Sequence, residues 1–365
     1  MNLSLGIVGL PNVGKSTLFN TLTSNNIPAE NYPFCTIDPN VGVVPVADNR
    51  INEIAKIVNP QDVVPAVVEF YDIAGIVKGA HKGEGLGNAF LANIRNVSAI
   101  VHVIRAFEND DITHVEERID PAGDKEIIEM ELILKDLESL NNQKNKLSKE
   151  LRGDSKKQKF MDLLNKLIEH LENENLAISL ELNTTDQDLI RFRRELFLLT
   201  DKKIIYLING DWYKIDEQLI KDLRKKINIP DIYPVLPMNI KQEYEISQLD
   251  PAEQDEFRNE LGLEFNGIAD LTRASYSLLD LISFFTAGEK EVKAWTIKNG
   301  STAPEAAGTI HTDFQTKFIT SEVVAYNDFI NCDGWHGVKD AGKVRLEGKE
   351  YIVKDGDVML FKHGA

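Results

Sequence analysis

Gly9-Leu10-Pro11-Asn12-Val13-Gly14-Lys15-Ser16-Thr17 decides the fold. The stretch satisfies G-x-x-x-x-G-K-[ST] at every fixed position. An apolar run of strand character, residues 3–8, precedes it, and Thr17-Leu18-Phe19-Asn20-Thr21-Leu22 opens a helix behind it. Strand, glycine-bounded loop and helix in that order form a cradle for phosphate. Glycine lets the backbone wrap close to the oxygens, successive N–H groups face one anion, and the helix N-terminus adds partial positive charge. The candidate phosphate-binding residues are therefore Asn12, Val13, Gly14, Lys15, Ser16 and Thr17. Lys15 spans the outer phosphates as the catalytic cation, and the Ser16 hydroxyl ligates Mg²⁺.

Working outward, residues 41–46, 67–72, 99–104 and 203–208 are short runs rich in Val, Ile and aromatics, with helical patterns between most of them. Strands alternating with helices predict an α/β fold: a P-loop NTPase domain with a mixed, mostly parallel sheet and helices on both faces. Residues 1–125 and 200–280 are assigned to it. Residues 126–199 differ: Ile133, Leu137, Leu140, Leu147 and Leu151 keep helical spacing, Gly153-Asp154-Ser155 breaks it, and Phe160, Leu164, Leu167 and Leu171 resume it. This predicts an inserted antiparallel coiled-coil hairpin. Residues 281–365 read as a compact α+β domain, with short strands at 292–297, 323–326, 343–346, 351–353 and 358–361 and a capped helix after Thr302-Ala303-Pro304-Glu305.

A magnesium site needs more than Ser16. Asp72 closes an apolar strand, where doubly wound sheets hold their ligands, and Asp72-Ile73-Ala74-Gly75 offers a carboxylate to the metal and the Gly75 N–H to a γ-phosphate. Thr36, in the loop after the first helix, is the second candidate hydroxyl for Mg²⁺ and a loop responsive to γ-phosphate. The glycine run Gly79, Gly83, Gly85 and Gly87 follows, a segment whose order depends on nucleotide or a plain surface loop. Guanine is read by N-K-x-D after a late strand. Here that strand runs into Asn209-Gly210-Asp211-Trp212, which has the Asn but neither the Lys nor a carboxylate at the fourth position. The main reward for guanine is missing, so ATP is expected over GTP, with GTP left open. Asn209 and Gly210 are the candidate base-binding residues, and Asn239-Ile240-Lys241 closes the pocket.

Composition bounds the rest. The chain has 365 residues, 42% hydrophobic and 27% charged, with a formal charge of −17 and two cysteines, Cys35 and Cys332. That is a soluble globular composition without a disulfide framework, and a cytoplasmic location is expected. The first residues lack the basic n-region of a signal peptide, and no apolar run reaches 18 residues. Such acidity argues against a sequence-specific DNA binder. Against it stands one basic segment. Residues 143–166 hold eight basic side chains opposed by Glu150, Asp154 and Asp162. Either this is a solvated helix face or a footprint for RNA phosphate.

Taken together, these residues resemble the YchF/Obg-like ATPase family of translation-factor-class P-loop NTPases. The resemblance covers nearly the whole chain. Its carriers include Gly9–Phe19, Asn31-Tyr32-Pro33-Phe34-Cys35-Thr36, Asp72–Ala80, Gly83-Glu84-Gly85-Leu86-Gly87-Asn88, Phe107-Glu108-Asn109, His311-Thr312-Asp313-Phe314 and Glu350–Asp357. It implies a G domain, an inserted hairpin and a C-terminal TGS domain of β-grasp type. It also implies ATP preference, and contact with the ribosome, its large subunit or ribosomal RNA through the hairpin tip and the TGS domain. No membrane contact is expected, and a monomer is. The family carries N-x-x-E for the base, and this chain departs from it with Trp212. Ile76 stands where a water-orienting Gln is usual, and the family likewise has a hydrophobic residue there. Slow turnover follows, with the missing group supplied by a partner or by His114, which matches a family position proposed for that role. Two functions remain open: a slow ribosome-associated nucleotide hydrolase, or a nucleotide-gated binding module in which hydrolysis is incidental.

Overall fold

The computed structural model describes residues 4–24, 40–73, 94–108, 119–150, 155–212, 214–263 and 265–364. Backbone contacts divide the chain into two units. One comprises Met1–Asn25, Asp38–Gly42 and Glu69–Gly267, the other Asn26–Ile37, Val43–Val68 and Ile268–Ala365.

The first unit is built on a six-stranded sheet. Its strands are β1 (Ser4–Val8), β2 (Val41–Pro45), β4 (Val67–Asp72), β5 (Ala99–Arg105), β6 (Lys203–Asn209) and β7 (Val235–Met238), in the order β2-β4-β1-β5-β6-β7. β1 pairs in parallel with β4 and β5, β5 with β6, and β6 with β7. β1, β5 and nearly all of β6 are buried along their length, which is why they read as continuous apolar runs rather than alternations. Helix α1 (Lys15–Ser24) leaves β1 through the glycine loop. This is the expected α/β P-loop architecture.

The inserted hairpin consists of α3 (Pro121–Glu150) and α4 (Ser155–Glu172). Ile133 and Leu140 of α3 and Leu164, Leu167 and Leu171 of α4 are buried in the same hydrophobic cluster as Val8, Ile100 and Ile204 of the sheet. The hairpin root thus shares the core of the sheet. Asp136 fixes it further: its carboxylate accepts from the N–H groups of Leu199 and Thr200 at 2.9 and 2.8 Å and from the Thr200 hydroxyl at 2.6 Å. Further along, Phe160 stacks on Phe192 of α5 (Gln187–Glu195), centroids 4.4 Å apart. Helix α6 (Glu217–Ile227) lies between β6 and β7, and α7 (Ile240–Ser247) and α8 (Pro251–Glu260) follow β7.

The second unit has its own six-stranded sheet, ordered β11-β10-β12-β8-β9-β3. Its strands are β3 (Asp62–Val64), β8 (Leu281–Ala287), β9 (Glu291–Lys298), β10 (Phe318–Ala325), β11 (Arg345–Glu347) and β12 (Asp357–His363). β3 and α2 (Arg50–Val58) fall in sequence within residues 1–125 yet belong to this unit, β3 pairing in parallel with β9. Arg50 of α2 bridges Asp48 and Asp355, both at 2.7 Å. Residues 351–353, expected as a strand, make only an isolated bridge between Ile352 and Thr302. Thr302 does cap helix α10 (Ala303–Ile310) as the sequence predicts, in a capping box with Glu305. α9 (Gly267–Leu278), α11 (Thr312–Thr316), α12 (Tyr326–Asn331) and α13 (Trp335–Asp340) are the further α-helices among the described residues. Among the described residues no helix is long and apolar enough to cross a membrane.

Candidate nucleotide site

The glycine loop needs its glycines. Gly9 has φ +153° and Gly14 φ +106°, conformations that side chains rarely adopt. A Cβ on Gly9 would sit 2.4 Å from the Val103 carbonyl oxygen, and one on Gly14 2.5 Å from Asn209 Nδ2. Asn12 takes the left-handed conformation at φ +61°, which Asn tolerates better than most residues. The Leu18 N–H closes the first helical bond onto Gly14 O at 2.8 Å, and the first turn of α1 carries no acid. The helix end therefore keeps its positive potential for an anion.

Lys15 is 8% exposed, and its ammonium donates to the Leu10 carbonyl across the loop. Burial lowers its pKa to about 8, with Asp72 pulling the other way. The Asp72 carboxylate thus stands close enough to feel Lys15, at the end of β4, while its N–H donates to Asn40 O at 3.0 Å. Among the described residues no group of three or more His, Cys, Asp or Glu could hold a metal. Mg²⁺ does not require one: it keeps several waters and phosphate oxygens and takes one or two protein oxygens. The Ser16 hydroxyl and the Asp72 carboxylate, hard oxygen donors flanking Lys15, fit that demand.

A cavity of about 580 Å³ opens over the loop. Asn12, Gly14, Lys15, Ser16 and Thr17 form its phosphate end, with Asn209 behind them. The other end is walled by Phe107 and Glu108, by Asp211, and by Asn239, Ile240 and Lys241. Val13 is fully buried beneath the loop. Asn209, 6% exposed, is held at both ends of its amide: Nδ2 donates to Val13 O at 2.9 Å, and Oδ1 accepts from the Ile240 N–H at 3.1 Å. It joins the phosphate loop to the start of α7.

Gly210 does not line the cavity. The Trp212 indole covers it, since a Cβ there would lie 2.5 Å from Trp212 Cζ2. Trp212 Nε1 donates to Ile208 O at 3.0 Å, and its ring packs on the rim of the core. Asp211 faces the cavity instead and accepts from Asn239 Nδ2 at 3.3 Å. Phe107 is held at the rim by buried Arg105, whose guanidinium lies 4.4 Å from the ring centroid and donates to Phe107 O at 3.2 Å. The expected roles of Asn209, Lys241 and the loop residues rest on motif spacing. Asp211 had no motif to mark it, an acid beside Asn209 being the available signal, while Phe107 stands in the Phe107-Glu108-Asn109 stretch that carries the family resemblance. Thr36, Gly75, Ile76, His114 and the glycine run 79–87 lie outside the described residues.

Among the described residues of the hairpin, Lys157 pairs with Glu150 at 3.1 Å and Lys159 with Asp186 at 2.9 Å. Asp186 lies outside the basic segment and offsets it further.

Comparison with known proteins places this geometry. Residues 4–166 match a family model described as a 50S ribosome-binding GTPase, and residues 281–364 match the YchF-GTPase_C model, described as a protein of unknown function (DUF933). The chain is 48% identical over 371 residues to the ribosome-binding ATPase YchF of Bacillus subtilis (strain 168), covering 99% of both. It is 48% identical over 362 residues to the ribosome-binding ATPase YchF of Escherichia coli O157:H7, again covering 99% of both. The solved structure of the Schizosaccharomyces pombe YchF GTPase superimposes with a TM-score of 0.87 at 34% identity, over 99% of this chain and 98% of that one.

Proposed function

The chain belongs to the YchF family, and on that premise we propose that it is a ribosome-associated P-loop nucleotide hydrolase. In this reading it prefers ATP to GTP and turns over Mg-ATP slowly as a conformational switch linked to translation. The observation that carries the reading is the loop over residues 9–17, with both glycines in conformations that the cradle requires and Lys15 buried across it. The relatives' names support a hydrolase. They divide over the base, the bacterial ones being ATPases and the fission-yeast one a GTPase. Trp212, turned into the core at the position where a guanine-reading carboxylate would stand, supports ATP.

Hydrolysis in this class is positioning plus neutralisation of charge on the transferred phosphoryl. Lys15 releases the Leu10 carbonyl and takes β- and γ-phosphate oxygens in its place. The loop N–H groups and the free end of α1 hold the remaining oxygens and exclude water from that side. Ser16, Asp72 and Thr36 would hold Mg²⁺, which when bound neutralises phosphate charge. Gly75 offers its N–H to the γ-phosphate. Ile76 cannot orient water, so turnover is slow, with His114 or a partner completing the site. The remaining basic groups of the hairpin tip and a TGS domain at 281–365 each contact the large ribosomal subunit or its RNA. The protein works as a cytoplasmic monomer.

The second reading, a nucleotide-gated binding module with incidental hydrolysis, is favoured by Ile76. Multiple-turnover phosphate release from ATP, with and without ribosomes, separates the two. Release well beyond one equivalent, stimulated by ribosomes and lost in Lys15→Ala, supports the hydrolase. Release that stops at or below one equivalent in both conditions overturns it.

A further inference from the structure

Position 212 is not available to a base: its indole is hydrogen-bonded to Ile208 O and packed on the core. The neighbouring carboxylate is available. Asp211 is exposed and lines the cavity opposite the phosphate loop. We propose that Asp211 is the base-reading carboxylate of this chain and that, paired with Asn239, it selects adenine. This rests on the reading of the cavity as a nucleoside-triphosphate site and deepens it.

The hydrogen-bond pattern carries the choice of base. Asn239 caps α7: its Oδ1 accepts from the Gln242 N–H at 3.1 Å. That contact leaves the amide nitrogen facing Asp211, where Nδ2 donates to Oδ1 at 3.3 Å. An amide nitrogen carries two hydrogens and a carboxylate two oxygens. The pair therefore presents an acceptor, Asp211 Oδ2, beside a donor, the second N–H of Asn239. Adenine offers the complement on adjacent atoms, a donor at N6 and an acceptor at N1. Guanine seated the same way reverses both groups, placing its O6 acceptor against Asp211 Oδ2 and its N1–H against the Asn239 N–H, and its N1–H and N2–H donors call instead for both oxygens of an unoccupied carboxylate. Here one oxygen is engaged by Asn239, and an amide N–H faces a ring N–H. Such a mismatch leaves donors without acceptors under the bound base and is disfavoured. Gly210 leaves room for the Trp212 ring, since a Cβ there would lie 2.5 Å from Trp212 Cζ2.

The test is calorimetric titration of the full chain, wild type and Asp211→Ala, with Mg-ATP, Mg-GTP and magnesium tripolyphosphate, which has no base. Asp211 is exposed, and equal unfolding temperatures of the unliganded proteins confirm that the variant folds. Loss of one hydrogen bond to a charged acceptor predicts ATP weakened by about 10-fold, with tripolyphosphate and GTP unchanged. The ratio of ATP to GTP affinity is the deciding quantity. Equal changes for both nucleotides, a larger loss for GTP, or no change for either overturns the assignment. Failure of the wild type to bind ATP or tripolyphosphate overturns the nucleotide-site reading itself.

Discussion

The two ends of the cavity are built differently. The phosphate end is a backbone construction: Gly9 and Gly14 sit at φ values that favour glycine, and hypothetical side chains would strike Val103 O and Asn209 Nδ2. The base end is a side-chain construction, assembled from Asp211, Asn239 and Phe107 on three separate segments. A backbone cradle constrains residue type at fixed spacing. A side-chain pocket constrains only which groups converge, and a carboxylate can move by one position in the chain while the pocket survives. The first is written as a motif; the second is not.

Asn209 is the sharpest probe of that division, because it stands at the junction. Removing its side chain in Asn209→Ala leaves Val13 O and the Ile240 N–H without their partner inside the protein. Each such loss costs roughly 1–3 kcal/mol, so denaturant unfolding should show a destabilisation of about 3 kcal/mol. ATP and GTP should weaken by the same factor, since both hydrogen bonds of the clamp go to backbone, at the phosphate loop and at the start of α7. A changed ATP-to-GTP ratio in this variant would break the division.

A smaller effect comes from beneath the phosphate end. His102 of β5 pairs with Val8, next to Gly9, and is 2% exposed. Burial, aided by Lys125 and Lys15, lowers its pKa from 6.5 to about 3. Between those values the unfolded chain takes up a proton that the folded chain refuses. Stability from this group is therefore intact above pH 6.5 and falls as pH drops toward 3. The slope is about 1.4 kcal/mol per pH unit, or about 2 kcal/mol at pH 5. Urea unfolding at pH 7 and pH 5 measures it, and His102→Gln should flatten the difference by that amount. An unchanged pH dependence in the variant would show that His102 is not held neutral.

The legibility of the rest follows the same logic. Three of the six strands of the first sheet, β1, β5 and β6, are visible because burial on both faces gives unbroken apolar runs; β2 and β4 are half-buried in alternation and show through their Val, Phe and Tyr content; and the hairpin is visible because Leu140, Leu164 and Leu167 keep helical spacing into a shared core. β7 is four residues long, and Ile232, exposed on the turn before it, resembles a strand residue, so the start of β7 is blurred in the sequence. β3 is three residues long and finds its partner, β9, far along the chain, so no local pattern reports it. β8 is buried only at its middle, Ser283 to Phe285, so it gives neither an alternation nor a long unbroken apolar run. At the site, Asn209 was found by spacing, but its role as a two-ended clamp required Val13 and Ile240 in place. Trp212 was legible as a departure, while its inward turn depends on Gly210 and the core rim.

The central claim is that residues 9–17 cradle a triphosphate through Lys15 and the loop amides. Titration calorimetry of Mg-ATP into the wild type and Lys15→Ala tests it most directly. The account predicts saturable one-site binding by the wild type and a loss of roughly 100-fold in the variant, the scale for removing one charged phosphate donor. Equal affinity of the two proteins for ATP, or no binding by either, would contradict it.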